Sequence, residues 1–555
     1  MNEPARVIEP TGLTPRERWT YRWLALFLTV IWLGMLSARP LFNPDEGRYA
    51  EIPREMLSGG DWVIPHLNGL AYIEKPPLQF WATALSYRML GVSEFAARLY
   101  TALTALATLL VVGGVARRLW NPQASWRAMA VLSGMLMFVA LGQLLTLDMS
   151  LTFYLTLSLA AFVLAQTEAQ PRPWLMLLAW AGAGCGVLTK GVVAAAIPAA
   201  VLLLYSVYAR DFAPWRRLQL AKGLPLFLAI TVPWHWLAAQ RLQDFLEFFF
   251  VHEHLARYLT PVADREEPWW FFGGVFLLGS LPWTVSGLRV LGSGWRRHAA
   301  PAGKFLPIVF LWIWVIFIGV FFSLSDSKLM PYILPVMPAL ALLIAALPPQ
   351  RLRRDFLITA MLTIVMGLTL GLASLNWARV IASSDRSAYF MPLARPVGQA
   401  ALLLVVSGAF VLAGRARGAT RAAVFLGAGW CLAWLVLIRA AALLAPVYSG
   451  VDLAAALSTA EREAPLYSVR TYDQTLTFYL QRSVTLVAYR GELDYGLRRA
   501  PDAEIADVAE FLRRWSPPAQ AFAVMEKSMF DELKNRGVPM RLVAQTWNRV
   551  LVARQ

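Results

Sequence analysis

Apolar runs close to the ~20 residues needed to cross a bilayer recur along the first 445 residues of this 555-residue chain and place it among polytopic α-helical membrane proteins. Thirteen runs can be delimited, at 22–39, 95–116, 126–145, 149–166, 174–189, 191–209, 223–240, 269–288, 305–323, 329–347, 355–374, 397–413 and 422–445. Basic residues gather at alternate ends. They are Arg16, Arg18 and Arg22; Arg117, Arg118 and Arg127; Arg172; Arg210, Arg216, Arg217 and Lys222; Arg289, Arg296, Arg297 and Lys304; Arg351, Arg353 and Arg354; and Arg415, Arg417 and Arg421. Positive charge in short loops marks the cytoplasmic side, so the N-terminus is expected inside and the C-terminus outside the cytoplasm. The net charge of +16 is thus a topology pattern, not a nucleic-acid groove. Only 15% of residues are charged, where a soluble domain carries about 25%. The first run, near 23–38, has a basic flank and no small-residue cleavage site behind it, and reads as a retained helix. Cys185 and Cys431 both lie in apolar runs, which predicts buried thiols and no disulfide framework.

The loop after the first run, residues 43–80, reads NPDEGRYAEIPREMLSGGDWVIPHLNGLAYIEKPPLQF and has the densest ionisable groups between apolar segments. Asp45, Glu46, Arg48, Glu51, Arg54, Glu55, Asp61, His66, Glu74 and Lys75 all fall in it. Its glycines and prolines rule out one uninterrupted helix. Tyr49, Trp62 and Tyr72 among the charges predict a folded lip at the membrane surface. This is the candidate catalytic loop, with an ordinary structural loop as the alternative.

The same face collects Asp148 in LTLDMSLTF, Lys190 in LTKGV, the segment 241–268, and Asp326 and Lys328 in SLSDSKLMPY, just before Tyr332. An ionisable group between two hydrocarbon-length segments is costly and is a functional-site candidate. Against this, Asp148 can cap a turn, and Lys190 and Lys328 can snorkel to the interface. His252 and His254 flank Glu253 and are the only closely spaced histidines. Positions i and i+2 do not share a helix face, so a metal site using both needs non-helical backbone.

From residue 446 the texture changes. PLYSVR, SVTLVAY, QAFAVMEK and PMRLVAQT read as strands, and TLTFYLQR, ADVAEFLRRW and SMFDELKNRG as helices. The expectation is a transmembrane catalytic domain over 1–445, with outside loops at 43–94 and 241–268, followed by a small α/β domain over 446–555. No glycine-rich phosphate loop is readable, so no nucleotide cofactor is expected.

No cytoplasmic loop is long enough to fold a nucleotide-sugar site, and the spans carry few of the mid-membrane charges a transporter needs. This points to an enzyme whose activated donor arrives within the lipid. Arg48, Lys75 and Lys190 are the candidates to hold its phosphate. Asp45, Glu46 and Asp148 are the catalytic candidates, and Tyr49, Tyr72, Glu74, His252, His254, Lys328 and Tyr332 are further pocket candidates. Carboxylates beside a phosphate serve as general base or hold a divalent ion, for which Glu74, His252 and His254 are the candidate ligands. A flippase is the non-enzymatic alternative and predicts charged residues lining a path across several spans.

The ordered set NPDEGRYAEIPREML, LNGLAYIEKPPLQFW, LTKGV, FFFVHEHLARYL, PWW and SKLMPYILPVMPAL spans residues 43–340. It resembles the bacterial lipid-linked glycosyltransferases related to protein O-mannosyltransferases, and within them most nearly the 4-amino-4-deoxy-L-arabinose transferases acting on lipid A. The resemblance implies a GT-C type glycosyltransferase fold with about thirteen transmembrane helices and a C-terminal periplasmic α/β domain. It implies an undecaprenyl-phosphate-linked aminoarabinose donor, a lipid A phosphate as acceptor, and an inner-membrane monomer facing the periplasm. The family's first-loop acid falls on Asp45, its KPP lysine on Lys75, and its acid between the third and fourth spans on Asp148. Either of the adjacent Asp45 and Glu46 can be the essential acid. The same fold could instead attach a hexose to a protein hydroxyl or another glycolipid.

Overall fold

The computed structural model describes residues 13–168, 172–256, 266–294, 305–414, 416, 418–515 and 520–555. Its membrane part is helical. The first eight helices are α1 (Pro15–Gly34), α2 (Asp45–Gly59), α3 (Leu78–Leu90), α4 (Glu94–Leu119), α5 (Pro122–Gly134), α6 (Leu136–Gly142), α7 (Leu147–Thr167) and α8 (Pro173–Lys190). Short polar residues set several starts. Thr14 and Glu17 form a reciprocal capping box on α1, while the side chains of Ser93 and Asn121 accept backbone N–H groups at the heads of α4 and α5.

Five helices are long and apolar enough to cross a bilayer: α4, α7, Pro349–Leu375, Ser387–Leu412 and Ala419–Tyr448. A sixth results if α5 and α6, bent by 71° at Met135, count as one span. The described residues therefore give five or six full-length spans where the sequence predicts thirteen. The other runs are helical too: Pro15–Gly34 and Leu220–Arg241 are long but less apolar, and the rest are shorter or interrupted. Gly191 adopts φ +91° directly after Lys190 and ends α8, and residues 271–294 divide into Phe271–Gly279 and Thr284–Gly294. α7 is central, with 78% of its apolar window buried, whereas Pro349–Leu375 buries 28% and turns Leu362, Val365, Leu368 and Leu372 outward. An outward apolar face on a membrane helix is its lipid face. Cys185 and Cys431 are free thiols, Cys431 buried and Cys185 partly so.

The first loop folds as α2, a two-stranded hairpin of β1 (His66–Leu67) and β2 (Leu70–Ala71), and α3. Asn68 and Gly69 sit at φ 55° and 74° in its turn, the left-handed conformations a tight hairpin requires. The C-terminal domain is a six-stranded sheet of β3 (Leu466–Val469), β4 (Thr485–Val487), β5 (Glu504–Ile505), β6 (Phe522–Glu526), β7 (Met540–Gln545) and β8 (Arg549–Arg554), in the order β5-β4-β3-β6-β8-β7. β5, β4, β3 and β6 run parallel; β8 returns antiparallel against β6, with β7 on its far side.

One face of this sheet shares its core with the first loop. Tyr49, Ile52, Met56, Leu70, Tyr72 and Phe80 pack in one cluster with Leu466, Leu476, Phe478, Leu486, Val524 and Leu551. Backbones meet closely as well. A Cβ on Gly47 would stand 2.6 Å from the carbonyl carbon of Gln474, and one on Gly496 would stand 2.8 Å from Cβ of Leu70. Both positions therefore require glycine, and the domain is seated directly on the loop.

Candidate active site

α2 opens at Asp45 and presents its two acids to opposite surroundings. Successive helical residues point about 100° apart, so one turns inward and the other outward. Glu46 is 2% exposed. One oxygen accepts from Nη2 of Arg39 at 2.9 Å, Nε of Arg98 at 2.8 Å and the Leu145 amide at 3.0 Å. The other accepts from Nη1 of Arg39 at 2.5 Å, Nη2 of Arg98 at 3.0 Å and the Phe42 amide at 3.1 Å. Burial alone would raise the Glu46 pKa, but the two guanidiniums hold it well below the usual carboxylate range. Remaining guanidinium protons go to the carbonyls of Leu36, Arg39, Pro40 and Gln143. The sequence leaves Asp45 and Glu46 equivalent; the structure uses Glu46 to tie the end of α1 to α4 and to the turn before α7. It leaves Asp45, whose side chain is 51% exposed, as the acid beside Arg48 at 3.6 Å.

Neither acid in question is a helix cap. Pro44 and Thr146 occupy the N-cap positions of α2 and α7, and neither helix has a side-chain cap bond. Asp45 and Asp148 instead lie in the first turns, where the helix dipole favours negative charge. Asp148 is ion-paired with Lys190 at the end of α8, and the Lys190 ammonium lies 4.8 Å from the ring centre of Tyr332. Arg48 pairs with Glu492 of the C-terminal domain, reaches the Tyr72 hydroxyl at 3.5 Å, and packs near the Tyr49 and Tyr72 rings. Burial would weaken its charge, but Tyr72, Glu492, Tyr49 and Glu74 around it raise its pKa well above the ordinary value. Its Nε is buried with no acceptor among the described residues.

Tyr72 donates to Glu74 at 3.1 Å. The ammonium of Lys75 donates to the Glu74 carbonyl at 2.8 Å and to Glu253 at 2.9 Å. Tyr49 joins the two halves. It is fully enclosed, and after burial itself the groups that shift its phenol are Asp45, Arg48, Glu74 and Asp148. The charges of the loop and of the first turn of α7 are thus both felt at one buried tyrosine.

The remaining candidates are less central. His252 is 53% exposed, stacks on Phe248 at 5.1 Å and lies 3.6 Å from Glu253. It sits in the π-helix Glu247–Ala256, so its neighbourhood is helical. The side chain of His254 lies outside the described residues. No three His, Cys, Asp or Glu side chains converge as a metal site among the described residues. Lys328 is 8% exposed with no ion-pair partner among the described residues. Sequence reasoning passed over Glu492 and Gln474, and treated Glu253 only as a spacer between histidines. It also missed Arg39 and Arg98, although Arg98 is an arginine four residues into an apolar run and was there to be read.

The dolichyl-phosphate-mannose-protein mannosyltransferase family matches residues 18–249, and the aminoarabinose transferase C-terminal domain matches 453–554. With a charged periplasmic lip set on a helical membrane core, these matches define a GT-C type membrane glycosyltransferase. The undecaprenyl phosphate-α-4-amino-4-deoxy-L-arabinose arabinosyl transferase of Pseudomonas aeruginosa strain UCBPP-PA14 is 34% identical over 529 residues, 90% of this chain and 91% of that protein. The corresponding transferase of Aeromonas salmonicida is 35% identical over 358 residues, covering 62% of this chain and 63% of that protein. The crystal structure of ArnT from Cupriavidus metallidurans bound to undecaprenyl phosphate superposes with a TM-score of 0.87 at 33% identity, covering 97% of this chain and 98% of that one. The chain belongs to the undecaprenyl phosphate-α-4-amino-4-deoxy-L-arabinose arabinosyl transferase family.

Proposed function

We propose that this chain transfers 4-amino-4-deoxy-L-arabinose from undecaprenyl phosphate to a phosphate of lipid A, at the periplasmic face of a bacterial inner membrane. The observation that carries the reading is the buried Arg48, grouped with Tyr72 and Lys75 on a lip that the C-terminal domain closes. Arg48, Lys75 and Lys190 hold the donor phosphate, the arginine as a fork and the lysines as point charges. Asp45 and Asp148 face the sugar, where they stabilise positive charge developing at the anomeric carbon. An oxygen of the acceptor phosphate attacks that carbon. The bond from the carbon to the carrier phosphate breaks, its electron pair leaves on undecaprenyl phosphate, and no proton need move. The helical backbone at His252 does not fit a divalent-ion site that uses both histidines, and the steps above use the chain's own groups.

Each transfer caps a phosphate and adds an ammonium. The lipid surface then attracts cationic peptides such as polymyxin less strongly, which is the basis of resistance. The same reading keeps thirteen spans. It is supported by the helices occupying the shorter runs, among them Val193–Ala209, Pro307–Ser323 and Met330–Ala345, and by the alternating arginine clusters.

Mass spectrometry of lipid A from cells with and without the gene tests the activity. Aminoarabinose on a lipid A phosphate only in cells carrying the gene is the expected result, and identical spectra would overturn it. Lys75→Ala is expected to weaken undecaprenyl phosphate binding ten-fold or more, from contacts of ~1.5–3 kcal/mol, without lowering expression. Unchanged affinity in the purified variant would remove Lys75 from the phosphate site.

A further inference from the structure

The cytoplasmic end of the membrane domain holds a cleft that the transfer chemistry does not use. It lies between the C-terminal half of α4, the C-terminal half of α7 and the first turns of α8, and its volume is about 580 Å³. That falls within the ~300–1,000 Å³ of sites that hold small molecules. Leu157 and Leu164 of α7 and Leu178 of α8 give it apolar walls, and Arg117 and Arg118 in the last turn of α4 line it as well. The glycine pair of α4 shows which side is unfilled. A Cβ on Gly113 would stand 2.7 Å from Sδ of Met129 in α5, whereas one on Gly114, which lines the cleft, meets no atom within 4 Å. Neighbouring helical positions point about 100° apart. One side of α4 is therefore packed on α5 and the next faces open space.

Arg117 and Arg118 are both exposed, and neither has an acidic partner among the described residues. Arg172, at the same end of the domain, is by contrast taken up by Glu168 at 2.5 Å. The dipole of α4 and the cytoplasmic bias of basic residues each favour arginine at this position. They account for the charge, but not for its standing over an unfilled apolar cleft between three helices. Trp174 also lines the cleft and is 49% exposed. Tryptophan is enriched at the level of the lipid headgroups. Hydrocarbon walls, an indole and two free guanidiniums together match the tail, interface and phosphate of a phospholipid.

We propose that this cleft binds one anionic diacyl phospholipid of the cytoplasmic leaflet, with a chain against Leu157 and Leu178 and the phosphodiester on Arg117 and Arg118. Guanidiniums meet phosphate oxygens with paired N–H donors, and basic pockets between membrane helices on the cytoplasmic side hold anionic headgroups. A zwitterionic headgroup fits less well, because its own ammonium would face the two guanidiniums. The cleft stands apart from the catalytic lip: Asp148 and Leu164 lie near opposite ends of α7, roughly 24 Å apart along the helix. The lipid is therefore a structural ligand joining α4 to α8, not a donor or an acceptor, and it stabilises the fold by binding only the folded state.

The test titrates the full-length protein in detergent with phosphatidylglycerol or phosphatidylcholine of matched chains, reading retained lipid by native mass spectrometry and stability by thermal melting. Wild type is expected to retain phosphatidylglycerol with about ten-fold or greater preference, and to melt higher with it than with phosphatidylcholine. The double variant Arg117→Gln, Arg118→Gln should lose that preference. Gly114→Leu, which fills the open side of α4 and favours helix, should lower retention of both lipids while melting without lipid at or above wild type. Equal retention of the two lipids by wild type would overturn the proposal. So would a preference that survives in the double variant, or retention untouched by Gly114→Leu, since either would place the bound lipid elsewhere. The two variants act through different parts of the ligand, so misfolding of one leaves the other to decide.

Discussion

Glu46→Ala is expected to leave no folded protein to assay. The carboxylate is the shared partner of two buried guanidiniums, Arg39 and Arg98, and of two backbone amides. Removing one member of a buried ionic network leaves uncompensated charge behind, at a cost of about 3–5 kcal/mol, a large part of a typical domain's stability. Glu46→Gln keeps the volume but still leaves two arginines facing each other, so it should also lose monodispersity in detergent. Size-exclusion profiles and melting curves of the purified variants are the measurement. A Glu46→Ala protein that elutes and melts as wild type would show that Arg39 and Arg98 are satisfied by carbonyls alone.

The largest effect on turnover, as distinct from folding, is expected at the two acids facing the pocket. Asp45→Asn and Asp148→Asn should each fold and lose at least about 100-fold in transfer rate, equal to ~2.7 kcal/mol of transition-state stabilisation. Asparagine keeps the shape and an acceptor oxygen, and since neither residue caps its helix, only the charge is removed. Asp148→Asn also releases Lys190 from its ion pair, so a shift in carrier-phosphate affinity should accompany the rate loss in that variant alone. Near-normal turnover in both variants at saturating donor and acceptor would leave Glu74 as the next acid to consider.

Much of this site was legible because membrane chains tolerate few charges without a reason. Lys75, Arg48, Asp148 and Lys190 stand out against hydrocarbon-length neighbours. What could not be read was pairing. Asp148 and Lys190 are 42 residues apart and join only because α7 and α8 pack side by side. Asp45 and Glu46 are neighbours whose roles diverge solely through the helix rotation between them. Glu492 sits in a polar domain where one more acid carries no signal. In the fold, the LNGL hairpin had an Asn-Gly turn that was open to reading, while β5 is two residues long and β8 follows a turn that hid it. Apolar length in the sequence does not show where a run bends or breaks, as at Met135, where the 126–145 run turns by 71°, and between Gly279 and Thr284 in the 269–288 run.

The order of strands in the C-terminal sheet also bears on when the enzyme becomes active during its synthesis. β8 lies between β6 and β7, so residues 549–554 complete the interior of the sheet whose face packs on the first loop. Residue 45 leaves the ribosome some five hundred residues before the strand that finishes its surroundings. A nascent chain can insert its membrane helices early, yet the sheet seated on the first loop lacks an interior strand until residues 549–554 have been exported and docked. Maturation of the first loop's surroundings is thereby tied to export of a strand some five hundred residues downstream of it.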